Sequence, residues 1–209
     1  MYRKYIKRFL DIFLCSIATP LLFIIIIVVS PVIYYVDKGP IFYNAARLGK
    51  NGKIFKMFKL RSMYINAPDI RLEDGSTYNA EDDPRVTPIG RFLRKTSLDE
   101  APQIINVLLG NMSIIGPRPD LPEHMKLYEF NESEKLRVRP GITGYNQAYY
   151  RNTIEWRERL QHDVYYAHNI TFLLDAKIFI HTAFMVLTRR NVFVRPDASS
   201  KKNRAQLLL

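Results

Sequence analysis

Only one cysteine, Cys15, occurs in 209 residues, so no intramolecular disulfide can form and the composition fits a reducing compartment. Cys15 lies inside an apolar segment, where a thiol behaves as a small hydrophobe. The four histidines, His124, His162, His168 and His181, show no metal-ligand spacing and read as ordinary surface or core residues. No internal repeat is present, and no helix-turn-helix, zinc-finger or RNP-type pattern accompanies the basic composition, which argues against nucleic acid as a partner. Acid is scarce at one end. Residues 1–61 hold 11 Lys/Arg against Asp11 and Asp37, which accounts for +9 of the formal net charge of +11. The positive excess therefore surrounds an apolar segment, where anionic lipid head groups would lie. From Ile12 to Val36 charge is missing altogether, over 25 positions.

A straight helix over those residues would run roughly 37 Å at ~1.5 Å per residue, enough to span a hydrocarbon core of about 30 Å. The run is too long for a cleaved signal peptide, and no small-x-small site follows it. A single spanning helix is one reading. Two features favour a re-entrant hairpin. Both flanks are basic (Arg3, Lys4, Lys7 and Arg8 before; Lys38, Arg47, Lys50, Lys53, Lys56 and Lys59 after), and positive flanks stay cytoplasmic. In addition, Ser30-Pro31 interrupts the run. Pro31 cannot donate to the carbonyl of Ile27, and the Ser30 hydroxyl is placed to supply a substitute partner. These residues alone leave the two forms balanced; Pro20 predicts a milder bend.

Beyond the anchor, the pattern predicts an α+β, mostly helical fold. A β-hairpin is expected over 41–61 around the Gly49-Lys50-Asn51-Gly52 turn, with Phe55, Met57, Lys59 and Arg61 on one face. Residues 66–88 read as a loop, in which Asp82-Asp83-Pro84-Arg85 is a solvated turn or, less simply, a metal site. A short basic amphipathic stretch over 89–95 suits the head-group region. A helix is predicted over 98–109, with Ala101, Ile104, Ile105, Leu108 and Leu109 on one stripe. Residues 113–122 are a proline-fixed turn around Arg118, and 139–144 form a turn-rich loop. A helix follows over 154–168. The apolar stretch 172–188 contains Asp175, Lys177 and His181, which are costly at mid-bilayer, so a packed or interfacial helix is expected there. The domains are then 1–38 as anchor, 39–195 as globular domain of interfacial helices with the hairpin, and 196–209 as a basic, disordered tail.

Candidate chemistry centres on Asp99 and Glu100. Ser97-x-x-Glu100 matches a capping box, which would make both carboxylates helix-terminal complements to the dipole. The same helix start favours a bound phosphate and an ionised, nucleophilic Asp99. Two carboxylates facing a diphosphate need a bridging cation, and Mg²⁺ suits those oxygens. Lys59, Arg61, Arg94, Arg118 and Arg151 are cations able to meet phosphate charge.

Several motifs occur together in order: Lys7-Arg8-x-x-Asp11, Ser30-Pro31, Gly39-Pro40-x-Phe42, Asp83-Pro84-Arg85-Val86-Thr87, Ser97-Leu98-Asp99-Glu100-x-Pro102-Gln103, Gly116-Pro117-Arg118-Pro119, Arg139-Pro140-Gly141-Ile142-Thr143-Gly144 and Asp163-Val164-x-Tyr166. Each is weak alone, but the ordered set over about residues 3–190 resembles the bacterial sugar transferases, the small monotopic phosphoglycosyl transferases. The resemblance implies a re-entrant membrane helix hairpin broken at Ser30-Pro31 and a place on the cytoplasmic face of the bacterial inner membrane. It implies transfer of a sugar 1-phosphate from a UDP-sugar to polyprenol phosphate, giving polyprenyl-diphosphate-sugar and UMP, as the first membrane step of glycan assembly. By the same resemblance Asp99 is the nucleophile of a ping-pong reaction and Glu100 its partner, the two holding Mg²⁺. Arg94, Arg118 and Arg151 contact phosphate or nucleotide, with Lys59 a weaker candidate, and Asp163 is a polar active-site partner. The implied partners are the UDP-sugar, polyprenol phosphate, inner-membrane lipids and a second copy of the chain as homodimer, with no nucleic acid. Three positions depart from the common pattern: Asn146 where Ala is frequent, Tyr150 where Gly is frequent, and Ala101 where Leu is frequent. The competing expectation is a non-catalytic membrane adaptor that binds anionic lipid through its basic hairpin.

Overall fold

The computed structural model describes residues 1–70, 78, 80, 82–150 and 154–188. Its longest element is α1, Lys7–Asp37, preceded by a π-helical turn at Tyr2–Ile6. Tyr2–Asp37 is the one helix among the described residues long and apolar enough to cross a membrane, with a mean hydropathy of 3.0 over its best window. The predicted break at Ser30-Pro31 is absent, because the helix is assigned without interruption through both Pro20 and Pro31. Ser30 Oγ is buried with no partner, contrary to the expected back-bond. The residue that does back-bond is Thr19, just before Pro20, whose hydroxyl donates to the Cys15 carbonyl at 2.7 Å.

One stripe of α1 (Asp11, Cys15, Leu22, Val29 and Ile33) is buried, while residues such as Phe9, Ile17, Ile27 and Val28 are exposed. Intervals of four and seven keep these positions on one side of a 3.6-residue helix. Cys15 packs with Met57, Val107 and Met112. Val29 and Ile33 pack with Leu60 and Leu93, and each such buried side chain is worth roughly 1.5–3 kcal/mol. Both ends of α1 are also tied by polar contacts to the same domain. Arg8 donates to the carbonyls of Val107 and Leu108, and the Ile114 amide donates to Asp11. At the far end Arg61 pairs with Asp37 at 2.6 Å and donates to the Ile33 carbonyl.

The predicted hairpin is present. β1 (Phe42–Leu48) and β2 (Ile54–Leu60) are antiparallel, with Ala45 opposite Met57 and Tyr43 opposite Lys59. Asn51 and Gly52, at φ 58° and 73°, make the left-handed turn between them. The basic stretch becomes α2, Pro88–Thr96, entered through Pro88 and capped by Thr87, whose hydroxyl accepts from the Gly90 amide. Gly90 lies directly on the backbone of Ser62, where a Cβ would come within 1.9 Å of the Ser62 carbonyl oxygen. Asp83-Pro84-Arg85 is not a solvated turn. Asp83 is fully buried, holds the Arg85 guanidinium at 2.7–3.2 Å, and Arg85 reaches on to the Pro68 and Tyr78 carbonyls. No group of three or more His, Cys, Asp or Glu side chains able to hold a metal ion occurs among the described residues.

The helix predicted over 98–109 is shorter and differently made. A 3-10 turn at Leu98–Glu100 precedes α3, Gln103–Leu108. β3 (Ser113–Ile115) then pairs in parallel with β4 (Gly141–Thr143). Gly116 permits this join, since a Cβ there would lie 2.4 Å from the Arg139 carbonyl oxygen. α4 (Tyr145–Tyr149), α5 (Trp156–His168) and α6 (Phe172–Leu187) complete the order. α6 is packed rather than spanning: Asp175 is buried and accepts from Tyr2, Lys7 and Tyr166. Its exposed positions are mostly apolar, including Phe172, Leu173, Phe179, Ile180 and Phe184, with Lys177 and His181 exposed among them. The tail expected over 196–209 lies outside the described residues.

Candidate active site

Asp99 and Glu100 occupy the 3-10 turn that joins α2 to α3. The capping-box expectation fails here. Ser97 adopts a left-handed conformation (φ 59°, ψ 16°) and closes the end of α2, its amide donating to Leu93 and Arg94 carbonyls; its side chain caps nothing. Glu100 is turned instead to Lys59. Pro102, which has no N–H to extend the turn, starts a new helix. The two carboxylates are thus presented on a short, sharply bent segment rather than at the N-terminus of a long helix.

Lys59, on β2, meets both carboxylates. Its ammonium lies 2.8 Å from Glu100 Oε1 and 3.4 Å from Asp99 Oδ2. Burial opposes the charge on Lys59, but Glu100 and Asp99 together outweigh it and raise the pKa above the usual lysine value, against the nearby Arg118. Asp99 is buried, and that burial raises its carboxyl above the usual aspartate range. Lys59 and Arg94 pull the other way, and Glu100 adds to the rise. Arg94 is close enough to Asp99 for a direct electrostatic effect, and burial lowers its own pKa. Its guanidinium is steered by Ser62, whose Oγ accepts from Nε at 3.0 Å.

The register between Lys59 and the dyad is set by Asn106, fully buried on α3. Its side chain accepts from the Phe58 amide and donates to the Lys56 carbonyl, both at 2.8 Å, so α3 docks on the free edge of β2 much as another strand would. Arg118 is exposed, in the rigid Gly116-Pro117-Arg118-Pro119 segment, and its charge acts on Lys59 and on Arg47. The Asp120 carbonyl accepts from the Leu48 amide at 2.9 Å, which ties that segment to the end of β1.

Asp163 is buried, with Lys135 Nζ at 2.6 Å and the Asn146 amide donating at 2.8 Å, and among the described residues no ion pair joins it to Lys59. Lys135 also pairs with Asp120 at 2.7 Å, so Asp163 connects α5 to the segment carrying Arg118. Burial opposes ionisation of Asp120, yet Lys135 and the hydrogen bonds from His124, Lys135 and Tyr128 hold its carboxyl well below the usual range. Arg61, one of the candidate phosphate cations, is committed to Asp37 and the end of α1. Arg151 lies outside the described residues. The unusual Asn146 bridges Asp163, the Arg159 carbonyl and His162, and the unusual Tyr150 stacks on His162 at 4.8 Å. Sequence reasoning missed Ser62, Asn106 and Lys135. Of these only Asn106 left a signal, as a polar residue inside an apolar helical run.

The Leu98–Glu100 turn and the Lys59 strand thus meet in one region, on which the charge of Arg118 also acts. A family model described as bacterial sugar transferase matches residues 2–189. The chain belongs to the bacterial sugar transferase family. Among relatives of this chain is the undecaprenyl-phosphate galactose phosphotransferase of Salmonella typhimurium, 36% identical over 207 residues, covering 91% of the chain and 42% of that protein. The exopolysaccharide production protein ExoY of Sinorhizobium fredii is 36% identical, with 90% and 88% covered. The UDP-glucose:undecaprenyl-phosphate glucose-1-phosphate transferase of Klebsiella pneumoniae is 35% identical, with 90% and 41% covered. The chain thus spans less than half the length of the Salmonella and Klebsiella proteins and most of the Sinorhizobium one.

Proposed function

We propose that this transferase moves a sugar 1-phosphate from a UDP-sugar to polyprenol phosphate at the cytoplasmic face of a bacterial inner membrane. The observation that carries the reading is the buried Asp99, set against Lys59 and Arg94 in a chain of this family. In the first half-reaction an Asp99 carboxylate oxygen attacks the sugar-linked phosphorus. The bond from that phosphorus to the bridging oxygen breaks, UMP leaves with the electron pair, and the sugar phosphate remains on Asp99 as an acyl phosphate. In the second, a phosphate oxygen of polyprenol phosphate attacks the same phosphorus and releases the Asp99 carboxylate. Lys59, Arg94 and Arg118 supply positive charge to the transferring and departing phosphates.

Two adjacent carboxylates are a sufficient protein share for Mg²⁺, which takes one or two carboxylates together with substrate phosphates. Asp99 and Glu100 would hold it, and its contribution is charge neutralisation of the diphosphate. In the structure the Lys59 ammonium offsets one of the two carboxylate charges.

A monotopic anchor is supported by the two tethered ends of α1. Arg8 and Asp11 at one end, and Ile33 and Asp37 at the other, are fixed to one domain, which leaves neither end free for the opposite face. The adaptor reading loses two of its hairpin cations, since Lys59 and Arg61 are paired internally. The test is UMP release by detergent-purified protein with Mg²⁺, polyprenol phosphate and a panel of UDP-sugars. Asp99→Asn abolishes release with folding intact; substantial residual turnover would remove Asp99 as the nucleophile.

A further inference from the structure

Away from the dyad, the start of α1 and the β3–β4 region enclose a cavity of about 490 Å³. None of Lys59, Arg94, Asp99, Glu100 or Arg118 lines it. Its wall carries seven Lys/Arg side chains against one acid, Asp11. Two of the cations are fixed through backbone oxygens rather than carboxylates. Arg8 is held by the Val107 and Leu108 carbonyls, and Arg139 by the Gly110 carbonyl at 2.8 Å. Neither has a carboxylate within ion-pair distance among the described residues, and the two guanidinium groups are near enough to repel one another. Lys7 is neutralised by Asp175 and Arg137 by Glu134, but Arg3 and Lys4, also in the wall, have no such partner among the described residues. A second observation points the same way. Ser113 lines the cavity, is only 2% exposed, and its hydroxyl has no hydrogen-bond partner. A buried unpaired hydroxyl is costly, and one sharing a cavity wall with guanidinium groups, to which Asp11 supplies the one nearby acid, is a donor for an anionic oxygen.

We infer that this cavity binds the phosphate group of an anionic bilayer phospholipid, at a site separate from the reaction centre. The rim favours a lipid over a free anion. Ile170 lines the cavity, and Tyr5, Phe9, Phe172 and Leu173 stand exposed on the elements beside it, offering an apolar path for acyl chains. Arg8 and Arg139 provide charge and forked donors, Ser113 a further hydrogen bond, and Arg3 and Lys4 meet the head group from outside. Such a lipid would fix the start of α1 at head-group depth.

The experiment is native mass spectrometry of the detergent-purified full chain with added phosphatidylglycerol or phosphatidylcholine. One phosphatidylglycerol per chain is retained and phosphatidylcholine is not. Ser113→Ala and Arg139→Gln each weaken retention about tenfold, the loss of one charge-assisted hydrogen bond. Ser113→Ala removes a single atom, so it covers the case in which Arg139→Gln fails to fold. Asp99→Asn retains the lipid fully, which separates this site from the catalytic reading. Equal retention by wild type and Ser113→Ala, or equal retention of the two lipids, overturns the inference. Displacement of the lipid by millimolar inorganic phosphate overturns it too, assigning the cavity to a free anion.

Discussion

Replacing Asn106 by leucine separates the geometry of the dyad from its chemistry. The side chains are close in size, and Asn106 touches no substrate group in the mechanism above. What it provides is two hydrogen bonds of 2.8 Å, to the Phe58 amide and the Lys56 carbonyl, in a fully buried position. Leucine leaves both backbone groups without a partner. At about 1–3 kcal/mol for each buried unsatisfied group, the variant loses roughly 2–6 kcal/mol. For a chain of this size that lowers the thermal midpoint by roughly 4–24 °C, measured by scanning fluorimetry in detergent. Lys59 follows Phe58 directly, so the loss also frees β2 to slide relative to the Asp99-Glu100 turn. UMP release per folded molecule then falls well below wild type. Asn106→Asp keeps the acceptor for Phe58 but sets a carboxylate against the Lys56 oxygen, and is no more stable than the leucine variant. A leucine variant within about 1 kcal/mol of wild type, or one destabilised but with unchanged turnover per folded molecule, would refute the docking role of Asn106.

Other outcomes follow from the same structure. Because burial raises Asp99 and a nucleophilic carboxylate must be ionised, the rate of UMP release rises with pH through an acid limb above the ordinary aspartate range. Lys59→Met removes a group that favours the ionised form, so the limb moves further up, while Lys59→Arg returns it towards wild type; a pH–rate profile with an unmoved limb in Lys59→Met contradicts this. The depressed Asp120 contributes stability that is full above the unfolded carboxylate pKa and is lost as pH falls towards the folded value. Asp120→Asn, which leaves Lys135 with Asp163 alone, therefore loses about 3–5 kcal/mol at neutral pH and shows a flatter acid unfolding curve. In a Cys15→Ala background, cysteines placed singly at Tyr5 and Lys56 are both labelled by a membrane-impermeant thiol reagent from the cytoplasmic side only; periplasmic labelling at Tyr5 would mean a spanning helix.

Features set by neighbouring residues were readable in the chain, and those set by distant ones were not. The hairpin follows from alternation on either side of Gly49-Lys50-Asn51-Gly52, and α2 from Thr87-Pro88 before a basic amphipathic run. The helix expected from Leu98 misread Ser97-x-x-Glu100 as a cap. That pattern carries no information about Lys59, 41 positions earlier, which draws the Glu100 side chain away. Similarly, apolar spacing placed Leu109 on a core stripe, whereas it is 64% exposed and the buried side of α3 holds Gln103, Asn106 and Val107. An edge strand in need of hydrogen bonds decided that orientation. Asp163 was picked out by its motif, but its buried partner Lys135 stands in the polar stretch Glu132–Arg137, where nothing local marks it as buried.

A membrane helix ordinarily answers a change in bilayer thickness by tilting. α1 has surrendered that freedom. It is fastened at Arg8 and Asp37, and its rotation about its own axis is fixed by the stripe from Asp11 to Ile33. In a bilayer its depth and direction are properties of the protein, so lipids next to it must thin, splay or reorder to match. The reaction centre therefore keeps one height above the hydrocarbon in membranes of different thickness, and the deformation is passed to the surrounding lipid.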